Sequence, residues 1–599
     1  MKIIRKMILA ACILAVSAAN AATDMNIKYM GQGHSILTPE RTAKYLLLPI
    51  EEASSESRIS VCVDNQVKEN INVRLAKDKV DYYMPYELEG AESFYIHVPF
   101  TESGEKLHNT EIYETGIWAK HIKLSDNYEV EPEKYRPSYH FTPEYGWMND
   151  PNGMFYKDGV YHLYYQYNPY ASVWGNMSWG HATSHDLIHW EHQPVALRGD
   201  VLGAIFSGSC IVDKSNAAGF GKDAVIAYYT SASERQMQSM AVSRDNGLTF
   251  DKYEGNPIVT STANDFRDPK VVWNEKGQNW IMVLAAGQEM QFYSSSDLKN
   301  WKYESSFGEG YGNHDGVWEC PDLFELPVEG TGESKWVLIC NINPGGPFGG
   351  SATQYFIGDF DGRKFVVDTP CKTKWMDYGR DHYATVTWSN APENRRIAIP
   401  WMSNWQYANI VPTKMFRSAN GLPRELKLFD YEGDVYVQSA PVPEVKSCMT
   451  EVYSKGKVTF GSKEKTIQLP KVLGGAYAIE LDVLPGNSTC VNIALANAKG
   501  ENVAMTFDGK TFTFDRSESG LTAFSEQFAS ATSSSVYSDG KSLKLTIFVD
   551  NSSVEVFGND GRFVQTNLVF PAEPYDRIVL SSKDKKAKIT NLKISKIEL

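Results

Sequence analysis

Short apolar runs, each bounded by turn-forming residues, recur along most of the chain. Met154–Tyr156 and Val160–Tyr167 are rich in aromatic and β-branched residues and flank an Asp-Gly pair at 158–159. Such runs on either side of Asp-Gly predict two strands joined by a hairpin. Similar paired runs follow at 270–273 with 280–286 and at 322–326 with 336–342. The pattern therefore predicts an all-β protein.

A polar motif ending in an aromatic residue divides these runs into groups. Ser184–Trp190 is echoed by Ser295–Trp301, with a longer variant at Ser243–Phe250 and a fainter one at Gly358–Phe365. Their first residues are 59, 52 and 63 positions apart (243 − 184, 295 − 243 and 358 − 295). We expect each motif to end a group of strands, and four-stranded groups of this length are typical of β-propeller blades. About 300 residues would accommodate five blades. An irregular β-sandwich with coincidental Asp turns is the alternative.

An acidic residue stands at the head of three of these strand groups. Asp150 and Asp268 each directly precede a proline, and Glu319 stands two residues before one. Taken singly, an Asp-Pro pair indicates no more than a turn between strands. In a propeller, successive blades would carry the three acids to one end of the central channel. Converging carboxylates repel one another and therefore indicate chemistry. We expect Asp150 on a tight turn whose backbone N–H groups hold its carboxylate ionised.

Changes in composition divide the chain into domains. Residues 1–21 have the composition of a signal peptide, and residues 22–135 predict a small N-terminal β domain. Residues 136–440 hold the predicted five-bladed β-propeller, and residues 441–599 consist of successive strand-forming runs that predict a C-terminal β-sandwich. The role of the N-terminal domain is open between glycan binding, surface docking and packing.

The first residues predict export. Three basic residues precede an apolar stretch, and Ala19-Asn20-Ala21 supplies small residues for cleavage. We expect a periplasmic or extracellular protein, cleaved after Ala21. Lipoprotein processing at Cys12 is a less favoured alternative, because the apolar run continues beyond it to Ala19. No later stretch approaches the ~18 apolar residues of a membrane span, so none is predicted.

The net charge limits the classes of ligand or partner that the protein is expected to bind. The formal net charge is −14, and removal of the three basic residues at positions 2, 5 and 6 leaves 56 − 73 = −17. An acidic exported chain argues against nucleic acid as a partner and suits a neutral substrate. Seven cysteines would remain after cleavage, widely spaced and without a C-x-x-C pair. We therefore interpret most of them as buried small hydrophobic residues.

Three short motifs carry a resemblance to a known family. Trp-Met-Asn-Asp-Pro-Asn-Gly at 147–153, Arg-Asp-Pro at 267–269 and Glu-Cys at 319–320 occur in this order. They resemble the three signature boxes of glycoside hydrolase family 32, which contains the β-fructosidases. The resemblance covers residues 136–440 and, more loosely, 441–599. It implies a five-bladed propeller, a fructan or fructo-oligosaccharide substrate, and retaining hydrolysis without a cofactor.

The resemblance also implies roles for the acids. Asp150 would be the nucleophile, Glu319 the acid/base, and Asp268 would bind fructose hydroxyls beside Arg267. Retaining hydrolysis needs two carboxyl groups ~5–5.5 Å apart, one of them protonated. Glu319 is flanked by Trp318 and a cysteine, an apolar setting that we expect to favour its protonated form.

Further substrate contacts follow from the same resemblance or from aromatic character. Aromatic faces suit the apolar faces of sugars, although core packing is the alternative for each tryptophan. The candidate substrate-binding residues are Trp147, Asn149, Gln166, Trp174, Phe206, Ser207, Arg267 and Trp401, with Trp405 as a further candidate wall. Two segments depart from the family pattern, at His382 and at Ser418–Leu422, which leaves the outer subsites and the linkage preference open.

Three functions remain open on sequence grounds. The favoured one is a retaining, metal-independent hydrolase that releases fructose from levan or inulin, with sucrose as a further candidate substrate. The alternatives are a fructosyltransferase with the same acids and a non-catalytic fructan-binding protein. A metal site is not expected. Four histidines are close together in the sequence, at His181, His185, His189 and His192, but no acidic residues that could complete a ligand set accompany them. The linkage preference, exo or endo action and the oligomeric state are open, with exo action favoured.

Overall fold

The computed structural model describes residues 24–31, 33–98, 116–368 and 372–599. The predicted signal peptide and Cys12 lie outside these ranges. The chain divides into two compact units, Met1–Tyr128 and Glu129–Leu599. The predicted boundary at 135/136 stays a prediction.

The first unit contains two antiparallel β-sheets and one short helix among its described residues. One sheet has the order β1-β2-β7-β4-β5 and the other β6-β3-β8. Alternate residues of β4 and β7, such as Ile59 and Ile96, are buried because successive side chains point to opposite faces of a sheet. The elements are β1 Met25–Gly31, β2 His34–Pro39, β3 Tyr45–Ile50, β4 Ser57–Val63, β5 Gln66–Val73, β6 Tyr82–Glu87, β7 Ser93–His97, α1 Trp118–His121 and β8 Lys123–Ser125.

The second unit begins with five antiparallel sheets within its described part, which agrees with the predicted five blades. Their innermost strands contact one another in a closed ring. The side chains of the middle strands are buried along nearly their whole length, because a neighbouring blade covers each face of the strand. From the inside outward, the blades consist of β9 Gly146–Lys157, β10 Val160–Asn168, β11 Ser178–Ser184 and β12 Glu191–Leu197; β13 Ala204–Asp213, β14 Ala224–Ala232, β15 Gln236–Ser243 and β16 Asp251–Lys252; β17 Phe266–Asn274, β18 Asn279–Ala286, β19 Met290–Ser295 and β20 Lys302–Phe307; β21 Val317–Pro327, β22 Ser334–Asn343, β23 Ala352–Phe360 and β24 Phe365–Val367, with β25 Lys374–Trp375 beside β23; and β26 Tyr383–Thr387, β27 Ile397–Met402, β30 Arg424–Tyr431 and β31 Asp434–Pro441, with β29 Ala419–Asn420 beside β27.

The repeated polar motif lies inside each of the first four blades rather than at its end. It joins the third strand to the fourth, as between β11 and β12. Asp186 and Asp297 show why it recurs, since one carboxylate oxygen of each accepts two backbone N–H groups of the loop. The prediction that the motif ends a group of strands is therefore wrong by one strand, although its spacing does mark the blades.

Backbone pairing closes the ring between its first and last blades. β28, Phe416–Arg417, comes from the last part of the propeller and pairs in parallel with the start of β9. Phe416 lies beside Gly146, and Ser389 bridges to Phe155 further along the same strand. Backbone hydrogen bonds from the last part of the propeller sequence thus hold both ends of the first blade's innermost strand.

Two six-stranded antiparallel sheets follow the propeller and form the predicted β-sandwich. Their orders are β32-β43-β34-β39-β40-β41 and β33-β42-β35-β36-β37-β38. Alternating buried residues of β34 and β35, such as Ile479 and Ile493, share one core between the sheets. The strands are β32 Met449–Phe460, β33 Lys465–Gln468, β34 Tyr477–Leu484, β35 Val491–Ala496, β36 Asn502–Phe507, β37 Thr511–Asp515, β38 Ala531–Ser535, β39 Leu543–Asp550, β40 Ser553–Gly558, β41 Phe563–Leu568, β42 Arg577–Ser582 and β43 Ala587–Ile597, and short 3-10 helices span Pro392–Asn394, Ala408–Ile410, Pro443–Cys448 and Lys471–Leu473.

Buried ion pairs fasten the propeller to the sandwich. Arg424 of the propeller donates to Asp377 at 2.9 Å and to Glu555 of the sandwich at 2.7 Å. His140 lies between two sandwich carboxylates, with Nδ1 2.9 Å from Asp550 and Nε2 2.8 Å from Glu555. Each of these buried charges has a partner of opposite sign, which a buried charge needs.

Candidate active site

All five innermost strands carry a β-bulge near their first residues. At each bulge two residues oppose a single residue of the second strand, so the register shifts by one. A bulge bends the strand and re-aims its side chains, which is why bulges are frequent beside active sites. The bulged pairs are Asn149–Asp150, Phe206–Ser207, Asp268–Pro269, Cys320–Pro321 and Ala384–Thr385. The same end of every blade therefore presents irregular backbone to the central channel.

The prediction of a tight turn at Asp150 is wrong. Asp150 lies inside the strand Gly146–Lys157, at its bulge. Proline has no backbone N–H for the strand ladder, and it is tolerated where a bulge interrupts pairing. Asp268 and Cys320, beside the prolines of the third and fourth bulges, have positive φ of 65° and 44°. The Asp-Pro signal thus marks a bulge that turns a carboxylate toward the channel.

Side chains, rather than the expected backbone N–H groups, hold the Asp150 carboxylate. Ser207 Oγ donates to its Oδ2 at 2.7 Å, and Asn149 Nδ2 donates to Oδ1 at 3.0 Å. Cys320 Sγ lies 3.4 Å from the same Oδ2. Burial raises the pKa of Asp150 and the nearby Glu319 carboxylate adds to this, while the three donors oppose the shift. Donors from three different blades therefore fix the orientation of this carboxylate.

Glu319 lies in a polar setting, so the expectation of an apolar one is wrong. Arg267 Nη2 is 2.6 Å from Glu319 Oε1, and the Tyr383 hydroxyl donates to Oε2. The Trp318 indole turns away and donates to the Asn313 carbonyl at 2.8 Å. Although burial opposes it, Glu319 and Asp268 raise the pKa of Arg267, which stays cationic. An arginine and a phenol thus occupy both oxygens of Glu319.

Asp268 is the most deeply buried of the three acids. Its Oδ2 accepts the Cys320 backbone N–H at 2.8 Å, and Arg267 Nε lies 3.9 Å from the same oxygen. Burial raises the pKa of Asp268 to about 7, with Glu319 and Asp150 adding to the rise and Arg267 opposing it. Cys320, the residue after Glu319, contacts Asp268 through its backbone N–H and Asp150 through its Sγ, so the three acids converge on one end of the channel as expected.

This arrangement has the parts that acid–base and nucleophilic chemistry need. Asp150 is a carboxyl group with fixed orientation, and Glu319 is a second carboxyl group that accepts a hydrogen bond from the Tyr383 hydroxyl. Arg267 offers positive charge beside Glu319 and Asp268. The site can therefore attack an electrophilic carbon on one side and deliver a proton on the other.

Several predicted substrate contacts surround these acids. Ser207 contacts Asp150 directly, and Arg267 contacts Glu319. Gln166, which opposes the Asn149–Asp150 bulge, is buried and donates to the Ile205 carbonyl at 3.1 Å. Trp174 and Phe206, also predicted as substrate contacts, form an edge-to-face pair with 6.0 Å between ring centroids, and Trp174 is well exposed. The sugar-binding role of these residues stays a prediction.

The tryptophans predicted as sugar walls occupy different depths. Trp147 and Trp401 are fully buried, with 5.9 Å between their ring centroids. Trp147 Nε1 donates to Asn149 Oδ1 at 2.8 Å and so orients the amide that contacts Asp150. A fully buried indole has no free face, so these two rings support the site from beneath. Trp405 stacks on Trp147 at 5.7 Å and is partly exposed.

Two residues that touch the acids were not predicted from the sequence as part of the site. Cys320 was interpreted as a small hydrophobic residue, and Tyr383 was not singled out for chemistry. Tyr383 begins the innermost strand of the fifth blade, the position from which the acids of earlier blades project. The blade repeat was the signal that could have found it.

The four histidines considered as metal ligands make separate contacts. His181 Nε2 is 3.1 Å from His162 Nδ1, and His189 pairs with Asp186 at 2.7 Å. His185 Nδ1 lies 2.9 Å from the Gly159 carbonyl, and His192 packs against Phe141. In the described ranges, no group of three or more His, Cys, Asp or Glu side chains is arranged to hold a metal ion.

Comparison with known proteins agrees with this geometry. Residues 140–440 match the N-terminal domain of glycosyl hydrolases family 32, and residues 444–596 match its C-terminal domain. The chain belongs to glycosyl hydrolase family 32. The three acids, each from the head of a separate blade, therefore lie in the part of the chain that matches the family's N-terminal domain. Residues 31–139 match a domain of unknown function.

Family 32 relatives are similar over most of the chain. A levanase from Bacillus subtilis is 47% identical over 77% of this chain and 70% of its own length. An extracellular exo-inulinase from Aspergillus niger is 38% identical, covering 74% of this chain and 90% of the relative. The crystal structure of an exo-inulinase from Aspergillus awamori superposes with a TM-score of 0.74 at 36% identity, over 78% of this chain and 99% of that one.

A second solved structure carries an oligosaccharide. It is a fructofuranosidase from Schwanniomyces occidentalis complexed with fructosylnystose, with a TM-score of 0.72, 34% identity, and coverage of 79% of this chain and 99% of that one. These matches confirm the predicted fold class, a β-propeller catalytic domain followed by a β-sandwich.

Proposed function

We propose that this protein is a retaining fructan hydrolase that releases fructose from levan or inulin. One observation carries the proposal. A fixed carboxylate, Asp150, shares the site with a second carboxyl group, Glu319, whose oxygens are held by an arginine and a tyrosine hydroxyl. That pairing is what a double displacement on a glycosidic bond requires. Levanase and exo-inulinases among the relatives support fructan as the substrate class.

In the first step, an Asp150 oxygen attacks the anomeric carbon of the fructosyl unit. The glycosidic bond breaks, and Glu319 gives its proton to the leaving oxygen. Tyr383 and Arg267 hold Glu319 toward that oxygen and stabilise the carboxylate left behind. The product is a fructosyl ester of Asp150.

In the second step, water attacks the same carbon from the opposite side. Glu319, now a carboxylate, takes a proton from that water, and the ester bond to Asp150 breaks. Asp268 binds fructose hydroxyls throughout. With its pKa at about 7, Asp268 has both donor and acceptor capacity near neutral pH, which suits hydroxyl partners.

The protein acts after export, in the periplasm or outside the cell. The amino-terminal signal pattern supports this location, as does the extracellular Aspergillus relative. The described residues contain no helix with the length and hydropathy for a membrane span.

Leaving-group dependence tests the two roles. Glu319→Ala should be severely impaired on fructan but less impaired in the first step on an aryl fructoside, whose leaving group hardly needs protonation. Azide needs no base, so it should partly restore turnover of Glu319→Ala and give a β-fructosyl azide. Pre-steady-state release of the aryl group and analysis of the azide product measure both effects.

Asp150→Ala is the matched variant. It should lose the first step on both substrates alike, and any azide product should be inverted, because the nucleophile is gone. Equal impairment of Glu319→Ala on both substrates, with no azide effect, would contradict its acid/base role. Product analysis at high sucrose separates hydrolysis from transfer, and free fructose is the expected product.

A further inference from the structure

A large cavity lies at the end of the propeller opposite to the acids. Its volume is about 900 Å³, near the upper end of ligand pockets. It is lined by Trp273 and Phe324, each five residues beyond an acid on the same innermost strand. Five residues of extended strand span ~16 Å, so the cavity and the active site are at opposite ends of these strands.

A buried ion pair stands between the cavity and the acids. Lys270, two residues beyond Asp268, has its Nζ 2.9 Å from Asp322 Oδ2 and 2.8 Å from the Thr387 carbonyl. Both partners are almost fully buried. The ion pair therefore separates the two sites, and a ligand in the cavity does not touch the catalytic carboxylates.

The wall of the cavity exposes a fixed tryptophan. Trp273 is 40% exposed, an unusual state for so large an apolar side chain. It packs edge-to-face on Trp280 with 5.1 Å between centroids, and its Nε1 donates to Glu275 Oε2 at 2.7 Å. The indole thus offers an open face to the cavity without rotational freedom to lose on binding. Such a face suits the apolar face of a sugar ring.

The Arg396 guanidinium in the same cavity has an Nε without a hydrogen-bond partner among the described residues, and the nearby Asp322 acts on it only through its charge. Arg396 packs on the Phe324 ring at 4.9 Å, and its Nη1 is 3.4 Å from Thr387 Oγ1. In the part of the chain that the structure describes, no acid lies within ion-pair distance of Arg396, whereas the neighbouring Arg395 pairs with Glu425 and Glu444. The planar guanidinium therefore keeps N–H donors available for the oxygens of a ligand.

We propose that this cavity is a second carbohydrate-binding site, which holds a segment of the fructan chain away from the active site. The tryptophan stacks on a sugar ring and the guanidinium donates to its hydroxyls. The choice of fructan as the carbohydrate rests on the proposed function. A chain held here raises the local concentration of chain ends around the enzyme, which benefits polymers and not sucrose.

Calorimetric titration in the Glu319→Gln background tests the site, because slow turnover leaves the oligosaccharide intact. Levan- and inulin-derived oligosaccharides should occupy two sites. Adding Trp273→Ala should weaken one of them by at least ~10-fold, equivalent to ~1.4 kcal/mol, and Trp273→Phe should retain most of the affinity. Tyr303→Ala removes another exposed aromatic side chain from the same blade, outside the cavity, and should change nothing.

Kinetics of the active enzyme give a second readout. Trp273→Ala and Arg396→Gln should raise KM on polymeric levan or inulin by at least ~3-fold while kcat/KM on sucrose stays within ~2-fold of wild type. A single binding site in every variant, an equal loss in Tyr303→Ala, or binding of inorganic phosphate without oligosaccharide would overturn the proposal. A wild type that hydrolyses no fructan would refute the proposed function instead, and the titration would still decide the second site.

Discussion

Ser207 and Cys320 place their donor groups on the same oxygen of Asp150, and they come from different blades. Asp150, the proposed nucleophile, is therefore oriented by tertiary contacts rather than by its own turn. Such donors favour the ionised carboxylate and oppose the effect of burial on its pKa. Their loss affects the protonation of Asp150 as well as its position.

Replacing Ser207 tests whether its hydrogen bond keeps the Asp150 carboxylate ionised. Ser207→Ala removes a donor that lowers the pKa of Asp150, so the pKa rises and the ionised nucleophile is lost at a higher pH. We expect kcat/KM to fall by roughly 10-fold and the acidic limb of its pH profile to move to higher pH. Ser209→Ala is the matched control, because Ser209 is buried on the same strand but bonds to Pro269 and Val271. An unshifted acidic limb in Ser207→Ala would count against this contact.

The acids themselves were predictable from sequence because their motifs are local. Asp150, Asp268 and Glu319 each sit in a short string with a recognisable order. Tyr383 and Cys320 were not predictable in the same way, because nothing beside them in sequence shows which acid they touch. Their contacts depend on how blades meet around the ring.

Among the elements, the bulges explain why the acids were predicted at the heads of their strand groups while the backbone at Asp150 was wrongly predicted as a turn. Asp-Pro favours a turn by local propensity. Whether it forms a turn or a bulge depends on the strand opposite, here Gln166 against Asn149 and Asp150. That pairing is nonlocal. The hairpins that follow were predictable, since alternation and Asp-Gly are local signals.

The aspartate loop between third and fourth strands is a second recurring element. Asp297 accepts the backbone N–H groups of Lys299 and Asn300 at 3.0 and 2.8 Å. Although burial opposes it, these bonds lower the pKa of Asp297 to about 2. Because the folded pKa lies below the ordinary value of 3.8, its stabilisation is present above that pH and is lost as the pH falls toward 2.

Asp297→Ala should lower the unfolding free energy at neutral pH by about 1–2 kcal/mol, because two backbone donors lose their acceptor. Asp297→Asn keeps one acceptor oxygen and should lose less. Denaturant unfolding of both variants measures the difference. Equal stability of Asp297→Ala and wild type would show that solvent replaces the carboxylate.

At the scale of the whole second unit, buried charges couple propeller and sandwich. Burial disfavours a charged His140, but the hydrogen bonds to Asp550 and Glu555 outweigh it and raise the pKa of His140 to about 9. Burial is likewise outweighed at Glu555, where His140 and Arg424 lower the pKa to about 2. Near neutral pH, His140 of the propeller is therefore cationic and Glu555 of the sandwich is anionic.

These two shifts predict how stability depends on pH. A raised histidine pKa gives stability that is complete below the unfolded value of 6.5 and lost as the pH rises through 9. A lowered carboxyl pKa gives stability above 4.5 that is lost as the pH falls toward 2. Between pH 4.5 and 6.5 both contributions are complete.

We expect the Tm to fall between pH 6.5 and 9, with up to roughly 3 kcal/mol of unfolding free energy involved. His140→Asn should be less stable at pH 6 and should lose most of that alkaline slope. His185→Asn, which changes an exposed histidine of the propeller, should keep it. An alkaline slope that is unchanged in His140→Asn would assign the effect to other groups.

The parallel pairing of β28 with β9 has a consequence for how the protein is made. Phe416 leaves the ribosome 270 residues after Gly146 (416 − 146), which takes tens of seconds at ~5–20 residues per second. Until then Gly146 and Trp147, at the start of β9, lack the partner strand with which they pair in the folded protein, and an unpaired edge can pair with other chains. The ring therefore cannot close until the last blade has been synthesised.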